Sequence, residues 1–153
     1  MTTSLQTKQD IETRVAGWVK TYADTITENY RRYHIETLEG NLSGKYPEYA
    51  RKQLDEIKNG TANLMKFKVK TGKKYYKIVQ QEFETWERSK NYGKYADGSV
   101  HCFVDKETGD VYKPASWASP AKHVRFSFQN EADLKFLLNP DNVGWAGGYL
   151  YIR

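Results

Sequence analysis

One long run of apolar residues at helical spacing constrains the fold more than any other feature of this chain. Between residues 11 and 33, apolar and aromatic side chains recur every three or four positions and polar residues fill the intervals. This spacing predicts an amphipathic helix over roughly residues 4–38, with Ser4 or Thr7 as the N-cap and Gly40 ending it. The stripe consists of Ile11, Val15, Trp18, Val19, Tyr22, Ile26, Tyr30 and Tyr33. A helix of this length must lie across a sheet, pair with another helix or mediate an oligomer, and a core helix is the favoured interpretation.

The hydrophobic period changes from helical to alternating near residue 61. A second helix is expected from Pro47 to Lys58, because proline suits a first helical turn and Asn59-Gly60 is a stop signal. From residue 65 onward, apolar residues alternate with lysines, and Thr71-Gly72 marks a short turn. Two β-favouring runs around such a turn predict a β-hairpin whose first strand has one apolar and one lysine-bearing face. Residues 1–60 therefore form a helical part, and residues 61–153 form a mainly β-hairpin part.

The remaining pattern predicts further antiparallel strands and a short C-terminal helix. Strands are expected at 100–105, 110–113 and 124–128, a helix at 131–138 and an edge strand at 149–153. Residues 80–88 predict a continued strand or a short helix, followed by a polar loop around residues 91–93 and a turn at Asp97-Gly98. The expected fold is a single α+β domain over residues 1–153, with N-terminal helices packed on an antiparallel sheet of about four to six strands.

Composition limits the class of protein. The single cysteine, Cys102, excludes an internal disulfide framework and a cysteine-rich zinc site. The N-terminus is polar, and no apolar run approaches the ~20 residues of a membrane span. An aromatic content of 14% argues against a disordered chain. We therefore expect a soluble cytoplasmic protein that does not enter a membrane.

The positive charge is concentrated in one stretch. The net charge is +5, yet residues 61–77 alone contain six lysines and no acidic residue. A local basic face of this kind indicates a phosphate-bearing partner, and Tyr75 or Tyr76 would add a stacking surface. The alternative interpretation is that these lysines only keep the strand soluble and prevent edge pairing. They are Lys66, Lys68, Lys70, Lys73, Lys74 and Lys77, and we term them the lysine hairpin.

A second group of cations follows a rigid, proline-bounded segment. Pro114 and Pro120 enclose small residues and one large ring, Trp117. A planar ring beside cationic donors suits a nucleic-acid base and its phosphate. The alternative is that the tryptophan anchors the core and the cations only fringe it. The candidate ligand-binding residues here are Lys113, Trp117, Lys122, His123 and Arg125.

No catalytic or metal-binding constellation is evident. Neighbouring residues on a strand point to opposite faces, so His101 is not expected to activate Cys102, and His123 is distant in sequence. The Asp105–Asp110 segment, DKETGD, lacks the spacing and the distal glutamate of a calcium loop, and turn stabilisation explains its acids better. The glycines of residues 144–148 favour a tight turn over a phosphate cradle. We expect no enzyme activity, no metal and no cofactor.

The segment Phe103 to Arg125, FVDKETGDVYKPASWASPAKHVR, resembles small uncharacterised proteins of tailed bacteriophages. The shared features are an aromatic strand, a DKxTGDVYK turn and a PASWxxPAKHxR segment, and the C-terminal GWAGGYLYIR is also similar. The resemblance covers about a third of the chain and implies a phage origin, but it implies no established activity. The sequence departs from the pattern at Phe126, where a small residue is expected after the arginine.

Three functions are consistent with these features. The first is a non-enzymatic phage accessory protein that binds nucleic acid or a nucleotide through the basic face. The second is an interaction factor that docks on a host protein or forms part of the virion, with a possible homo-oligomer through the N-terminal helix. The third is a sponge that sequesters a host immune signalling nucleotide. The expected location is the cytoplasm, which is the host cytoplasm if the protein is phage-encoded.

Overall fold

The computed structural model describes residues 2–151 and confirms the α+β class. Two helices precede an antiparallel five-stranded sheet in which each strand pairs with its neighbours in chain order. The elements are α1 (Thr2–Asn41), α2 (Pro47–Asn59), β1 (Lys66–Thr71), β2 (Tyr75–Phe83), β3 (Tyr95–Asp105), β4 (Asp110–Pro114), β5 (Pro120–Ser127), α3 (Glu131–Leu137) and a 3₁₀ turn (Gly148–Leu150). None of the helices in this part of the chain contains an apolar stretch long enough to cross a lipid bilayer.

The core lies between α1 and one face of the sheet. The buried stripe of α1 includes Val15, Val19, Tyr22 and Ile26, which are all at most 1% exposed. It packs against sheet residues that share one face, and burying each such aliphatic side chain stabilises the fold by roughly 1.5–3 kcal/mol. These partners include Phe67, Ile78, Cys102, Val104 and Val111. The prediction of a core helix is therefore confirmed.

The helix boundaries follow the sequence signals only in part. Helix α2 begins at Pro47 and ends at Gly60, whose φ of 75° allows its amide to donate to the carbonyls of Glu56 and Ile57. Helix α1 begins at Thr2, so the predicted N-caps at Ser4 and Thr7 lie inside the helix, and that prediction is wrong.

Strand β3 begins earlier than the turn chemistry suggests. The prediction of a turn at Asp97-Gly98 is wrong, because both residues lie within β3 and Asp97 is paired with Gln81 of β2, next to an irregularity in the ladder. The connection instead occupies residues 84–94 and contains Gly93 at a φ of 74°. The predicted C-terminal strand is also wrong over 149–151, where a 3₁₀ turn forms, and residues 152–153 lie outside the described part of the chain.

Hydrogen bonds to Asp105 close the turn between β3 and β4, and the conformation and packing of the turn require a glycine at position 109. The Gly109 amide donates to the Asp105 carbonyl at 2.9 Å, and the Asp105 carboxylate accepts from two further turn amides at 2.8 and 3.1 Å. Gly109 has a φ of 76°, a conformation that side chains rarely adopt. A Cβ atom there would lie 3.0 Å from Phe128 and 3.1 Å from Val15. Turn stabilisation by Asp105 is thus confirmed, and the turn also closes the core.

Strands β3 and β4 separate soon after the turn. They pair at only two positions, Phe103 with Tyr112 and Val104 with Val111. The β4–β5 ladder then contains irregularities on both sides of Tyr112, and bulges of this kind bend a strand locally. The first eight residues of β3, 95–102, consequently have no β4 partner.

Candidate functional site

The sheet has one face that no helix covers within residues 2–151. Helices α1 and α3 pack on the face that carries Phe67 and Ile78. Strand register places Lys68 opposite Val79 and Lys77 opposite Phe103 on the other face. We term this other face the open face; its central residues are Lys66, Lys68, Lys77, Tyr75, Phe103 and Tyr112.

An aromatic layer forms the floor of the open face. The Tyr75 ring meets the rings of Phe103 and Tyr112 edge-to-face, with centroid separations of 5.8 and 6.0 Å. Such pairs contribute about 0.5–1.5 kcal/mol each beyond their burial. Phe103 is only 2% exposed although no described helix lies above it, because neighbouring side chains of the sheet cover it. The open face is therefore a packed aromatic surface and not a bare backbone ladder.

Lys77 joins the two regions that the sequence presents as separate candidates. Its ammonium lies 5.7 Å from the Phe103 ring centroid and 4.3 Å from that of Trp117. Both distances are within the range of a cation–π contact. The lysine hairpin and the proline-bounded segment thus meet on one surface.

Trp117 is presented by a constrained loop. The amides of Ala115 and Ser116 both donate to the Ser119 carbonyl, at 3.0 and 3.1 Å, and the Ser116 and Ser119 hydroxyls are 3.0 Å apart. The indole remains 48% exposed. The interpretation of Trp117 as a core anchor is therefore wrong, and its ring is available to a ligand.

The other lysines of the hairpin have different surroundings. Lys66 lies 4.0 Å above the Tyr95 ring centroid, and exposed Lys68 has no ion pair with any described residue. Lys70 forms an ion pair with Asp97, and hydrogen bonds from Lys70 and Gln81 hold the pKa of that carboxyl below its ordinary value. The charge of Lys70 is therefore largely satisfied within the protein.

Lys73 and Lys74 lie at the end of the sheet. Both are exposed in the short connection between β1 and β2, outside the open face itself. The Lys74 ammonium is 5.4 Å from the Tyr75 ring centroid, which brings this charge toward the edge of the aromatic layer. The cations centred on the open face are thus Lys66, Lys68 and Lys77.

The cations near Trp117 in sequence do not form one cluster. Lys122 and His123 are exposed on β5. Arg125 donates from Nε to the Leu150 carbonyl at 2.7 Å and also to the His123 carbonyl, so it fastens the C-terminal segment to the sheet. Lys113 lies in a groove described below. Of the five residues predicted in this group, Trp117 contacts the lysine hairpin, through Lys77.

A buried chain of polar groups crosses the other side of the sheet. The Tyr149 hydroxyl is 2.7 Å from His101 Nε2 and is also hydrogen-bonded to the Tyr22 hydroxyl, which in turn contacts the Cys102 thiol. The backbone of Trp145 lies near the His101 ring and opposes the effect of burial on the pKa of that ring. The chain joins α1, β3 and the C-terminal segment.

His101 and Cys102 are not oriented as the sequence predicts. The two residues were expected on opposite faces, but the ladder pairs Ile78 with Cys102 and the next residue, Val79, with Val100, which leaves His101 as an extra residue in a bulge. Both side chains therefore join the same hydrogen-bonded chain, through two intervening tyrosines.

Burial keeps these four hydrogen-bonded side chains uncharged near neutral pH. It raises the pKa of the Cys102 thiol to about 12 and lowers the pKa of His101 to about 4. It also raises the pKa values of Tyr22 and Tyr149. The thiol stays protonated and the imidazole stays neutral at pH 7, so these residues supply neither a thiolate nor an imidazolium. Between residues 2 and 151, no three His, Cys, Asp or Glu side chains come together in a way that would hold a metal ion.

A groove opens where β3 and β4 separate. Its larger part has a volume of about 310 Å³, and an adjoining part of about 260 Å³ reaches the Trp117 ring. The two parts share Ser99, Val100 and Pro114 as lining residues, so they adjoin at this wall, one towards the C-terminal segment and the other towards Trp117. We term this space the β3–β4 groove; its other walls include Gln80, His101, Lys113, Trp145, Gly147 and Tyr151.

Sequence reasoning missed the aromatic layer and the groove. Tyr75, Lys77 and Val79 alternate with Tyr76 and Ile78, so a second ordered face of β2 was visible as a signal. The placement of Phe103 and Tyr112 on that same face depends on strand order, which no local pattern specifies.

Comparison with known families identifies the chain at the level of the family only. A model of a family of unknown function, DUF7717, matches residues 1–152. The chain belongs to the DUF7717 family. No curated protein and no solved structure matches this DUF7717 member.

Proposed function

We propose that this DUF7717 member is a non-enzymatic protein that binds single-stranded nucleic acid on the open face. Lys66, Lys68 and Lys77 would contact phosphates, and Trp117 with the exposed parts of Tyr75 and Tyr112 would stack against bases. The observation that carries the proposal is the position of the Lys77 ammonium between the Phe103 and Trp117 rings. It combines a phosphate-binding charge and an exposed stacking surface at a single point.

The arrangement of charges and rings on the open face favours a single-stranded nucleic acid as the ligand. Proteins that bind single strands combine a positive surface along the backbone with aromatic rings, and each stacked base contributes about 1–3 kcal/mol. The cations of β1 are two residues apart, so Lys66 and Lys68 are spaced by about 6.7 Å along the sheet. A row of charges beside exposed rings suits an extended polyanion with unpaired bases better than a compact ion.

The proposal includes a phage origin and action in the host cytoplasm. Both rest on the resemblance of Phe103–Arg125 to tailed-phage proteins.

A second candidate is docking on a host or virion protein. Tyr46 and Tyr49, where α2 begins, are 70% and 65% exposed, and Tyr33 of α1 is 49% exposed. Aromatic side chains are enriched in protein interfaces. This surface is distinct from the open face, so substitutions separate the two functions. Tyr46→Ser with Tyr49→Ser would leave nucleic-acid binding unchanged under either function and would abolish partner binding under the second.

Binding to a fluorescent single-stranded 12-mer, measured by anisotropy over a series of salt concentrations, tests the first function. The triple variant Lys66→Gln, Lys68→Gln, Lys77→Gln should weaken binding at least tenfold. It should also reduce the magnitude of the slope of log K against log salt by about 2, since each phosphate contact on a single strand contributes about 0.7.

A matched triple removes the same charge elsewhere. Lys52 and Lys58 are exposed on α2, and Lys135 is exposed on α3. Their replacement by Gln should leave both affinity and slope close to those of the unaltered protein. Equal losses in the two triples would show that only net charge matters and would refute a site on the open face.

A further inference from the structure

We propose that the β3–β4 groove is a subsite for one nucleotide unit, with its phosphate on Lys113 and its base beside Trp117. The chemical class of this ligand rests on the proposed function, but the groove is a separate feature from the open face. One part lies beside Trp117 at the edge of the open face, and the other adjoins it at Ser99, Val100 and Pro114 and is lined by Lys113. A strand lying on the open face therefore has an opening in which one unit leaves the surface.

The size of the groove suits a single unit. Small-molecule sites have volumes of about 300–1,000 Å³. The main part of the groove, about 310 Å³, is at the lower end of that range. The groove lies where β3 and β4 stop pairing after only two positions and the β4–β5 ladder is irregular.

The charge of the groove favours an anion. Lys113 lines it, no aspartate or glutamate does, and Lys113 forms no ion pair with a described residue. The Lys113 ammonium lies 4.3 Å from the Tyr151 ring centroid, which holds the charge at the mouth. A phosphate entering here would meet a cation that is not paired with a carboxylate of the described residues.

Neutral groups of the groove suit a sugar and a base. Ser99 supplies a hydroxyl at the shared wall of the two parts. The Gln80 amide donates to Glu82 at 3.1 Å, which leaves its carbonyl oxygen as an acceptor. Trp117 at one end and Tyr151 at the other present partly exposed rings.

The deep wall of the groove is already fixed in the free protein. His101 Nε2 is hydrogen-bonded to the Tyr149 hydroxyl, and the backbone of Trp145 lies near its ring. The C-terminal segment that closes this side is held by the bond from Arg125 to the Leu150 carbonyl. A preformed site loses less conformational freedom on binding, so weak ligands such as single nucleotides should still be detectable.

NMR titration of the full chain with adenosine 5′-monophosphate tests the subsite, with adenosine and inorganic phosphate as separate probes. We expect amide shifts at residues 99–101, 113–117 and 145–151 with the monophosphate. Adenosine should bind at least fivefold more weakly. Saturable binding of inorganic phosphate that matches the monophosphate would show an anion site without base recognition and would overturn the proposal.

Two variants and one control make the test decisive. Lys113→Gln should weaken monophosphate binding at least fivefold, and Ser99→Tyr, which fills the groove at an exposed position, should do the same. Lys94→Gln, at an exposed lysine that does not line the groove, should have no effect. Unchanged binding in both groove variants, with melting temperatures close to that of the parent, would refute the subsite.

The test separates this inference from the proposed function. If the 12-mer binds through Lys66, Lys68 and Lys77 while the monophosphate shows no groove-dependent binding, the subsite is refuted and the proposed function stands. If the monophosphate binds in the groove while the lysine triple has no effect on the 12-mer, the subsite stands and strand binding on the open face is refuted.

Discussion

Acidification should destabilise the protein through His101, whose burial lowers its pKa from an ordinary value of 6.5 to about 4. The unfolded chain takes up this proton near pH 6.5 and the folded protein only near pH 4. The unfolded state therefore binds more protons between these values, and stability falls as the pH falls through this interval. From pH 7 to pH 5, the loss assigned to this one group is about 2 kcal/mol, and it approaches about 3 kcal/mol near pH 4.

The physical cause is specific to the surroundings of the imidazole. Protonation would place a charge among the Phe67 ring, the Tyr149 hydroxyl and the Trp145 backbone. It would also make both ring nitrogens donors, whereas the neutral ring keeps one of them as an acceptor.

Urea unfolding at pH 7 and pH 5, in the parent and in His101→Gln, measures this contribution. Other titrating groups are common to both proteins, so the difference between their pH dependences isolates His101. The parent should lose about 2 kcal/mol more than the variant over this interval. His123→Gln, at an exposed histidine, is the matched control for the loss of one imidazole. An equal pH dependence in the parent and in His101→Gln would refute the argument that His101 is held neutral by burial.

Three further predictions follow from the packing. Gly109→Ala should lower the free energy of unfolding by about 1–3 kcal/mol, because Gly109 has a positive φ and a Cβ atom there would meet close contacts. Gly17→Ala, in open space on α1, should raise it by up to about 1 kcal/mol. Urea denaturation measures both, and equal effects would contradict this explanation. Tyr149→Phe should lower the free energy of unfolding by about 1–3 kcal/mol, because His101 loses its hydrogen-bond partner. Tyr46→Phe, at an exposed tyrosine, should leave it unchanged in the same assay. An unchanged stability in Tyr149→Phe would show that the buried hydrogen bonds add no stability. The Cys102 thiol should react with Ellman's reagent only at the rate of unfolding, because burial raises its pKa to about 12, and fast reaction in the native protein would contradict that burial.

Local periodicity was sufficient to predict the main framework. The stripe from Ile11 to Tyr33 gave the long helix, and alternation around Phe67 gave the first hairpin, because both signals reflect one buried face of one element. The DKETGD turn was also readable, since its hydrogen bonds join residues that are at most four positions apart.

The errors arose where partners distant in sequence decide the structure. Asp97-Gly98 has turn chemistry, but pairing with Gln81 and an ion pair with Lys70 hold it in a strand. The bulge at His101 is a mismatch between two strands, and neither strand alone encodes it. Local propensity is overridden in both cases by contacts across the sheet.

The candidate site was likewise predictable in its local features and not in the contacts between distant residues. The lysines were evident as a charge pattern, and Trp117 was evident as an isolated ring in a rigid segment. Their meeting at Lys77 joins residues 40 positions apart and depends on the order and twist of the strands between them. The β3–β4 groove likewise depends on where two strands stop pairing, which no residue type signals.

Photo-crosslinking tests the central claim most directly, namely that the open face binds single strands through Trp117 and its neighbouring lysine. A single-stranded oligonucleotide containing 5-iodouracil would be irradiated with the protein, and the crosslinked residues would be identified by mass spectrometry. Trp86, which is 63% exposed in the connection between β2 and β3, is a more accessible internal control than Trp117 at 48%. The account predicts a crosslink at Trp117 or the rings beside it, and its loss in the Lys66, Lys68, Lys77 triple variant. Crosslinks that follow exposure and favour Trp86, or that persist unchanged in the triple variant, would contradict it.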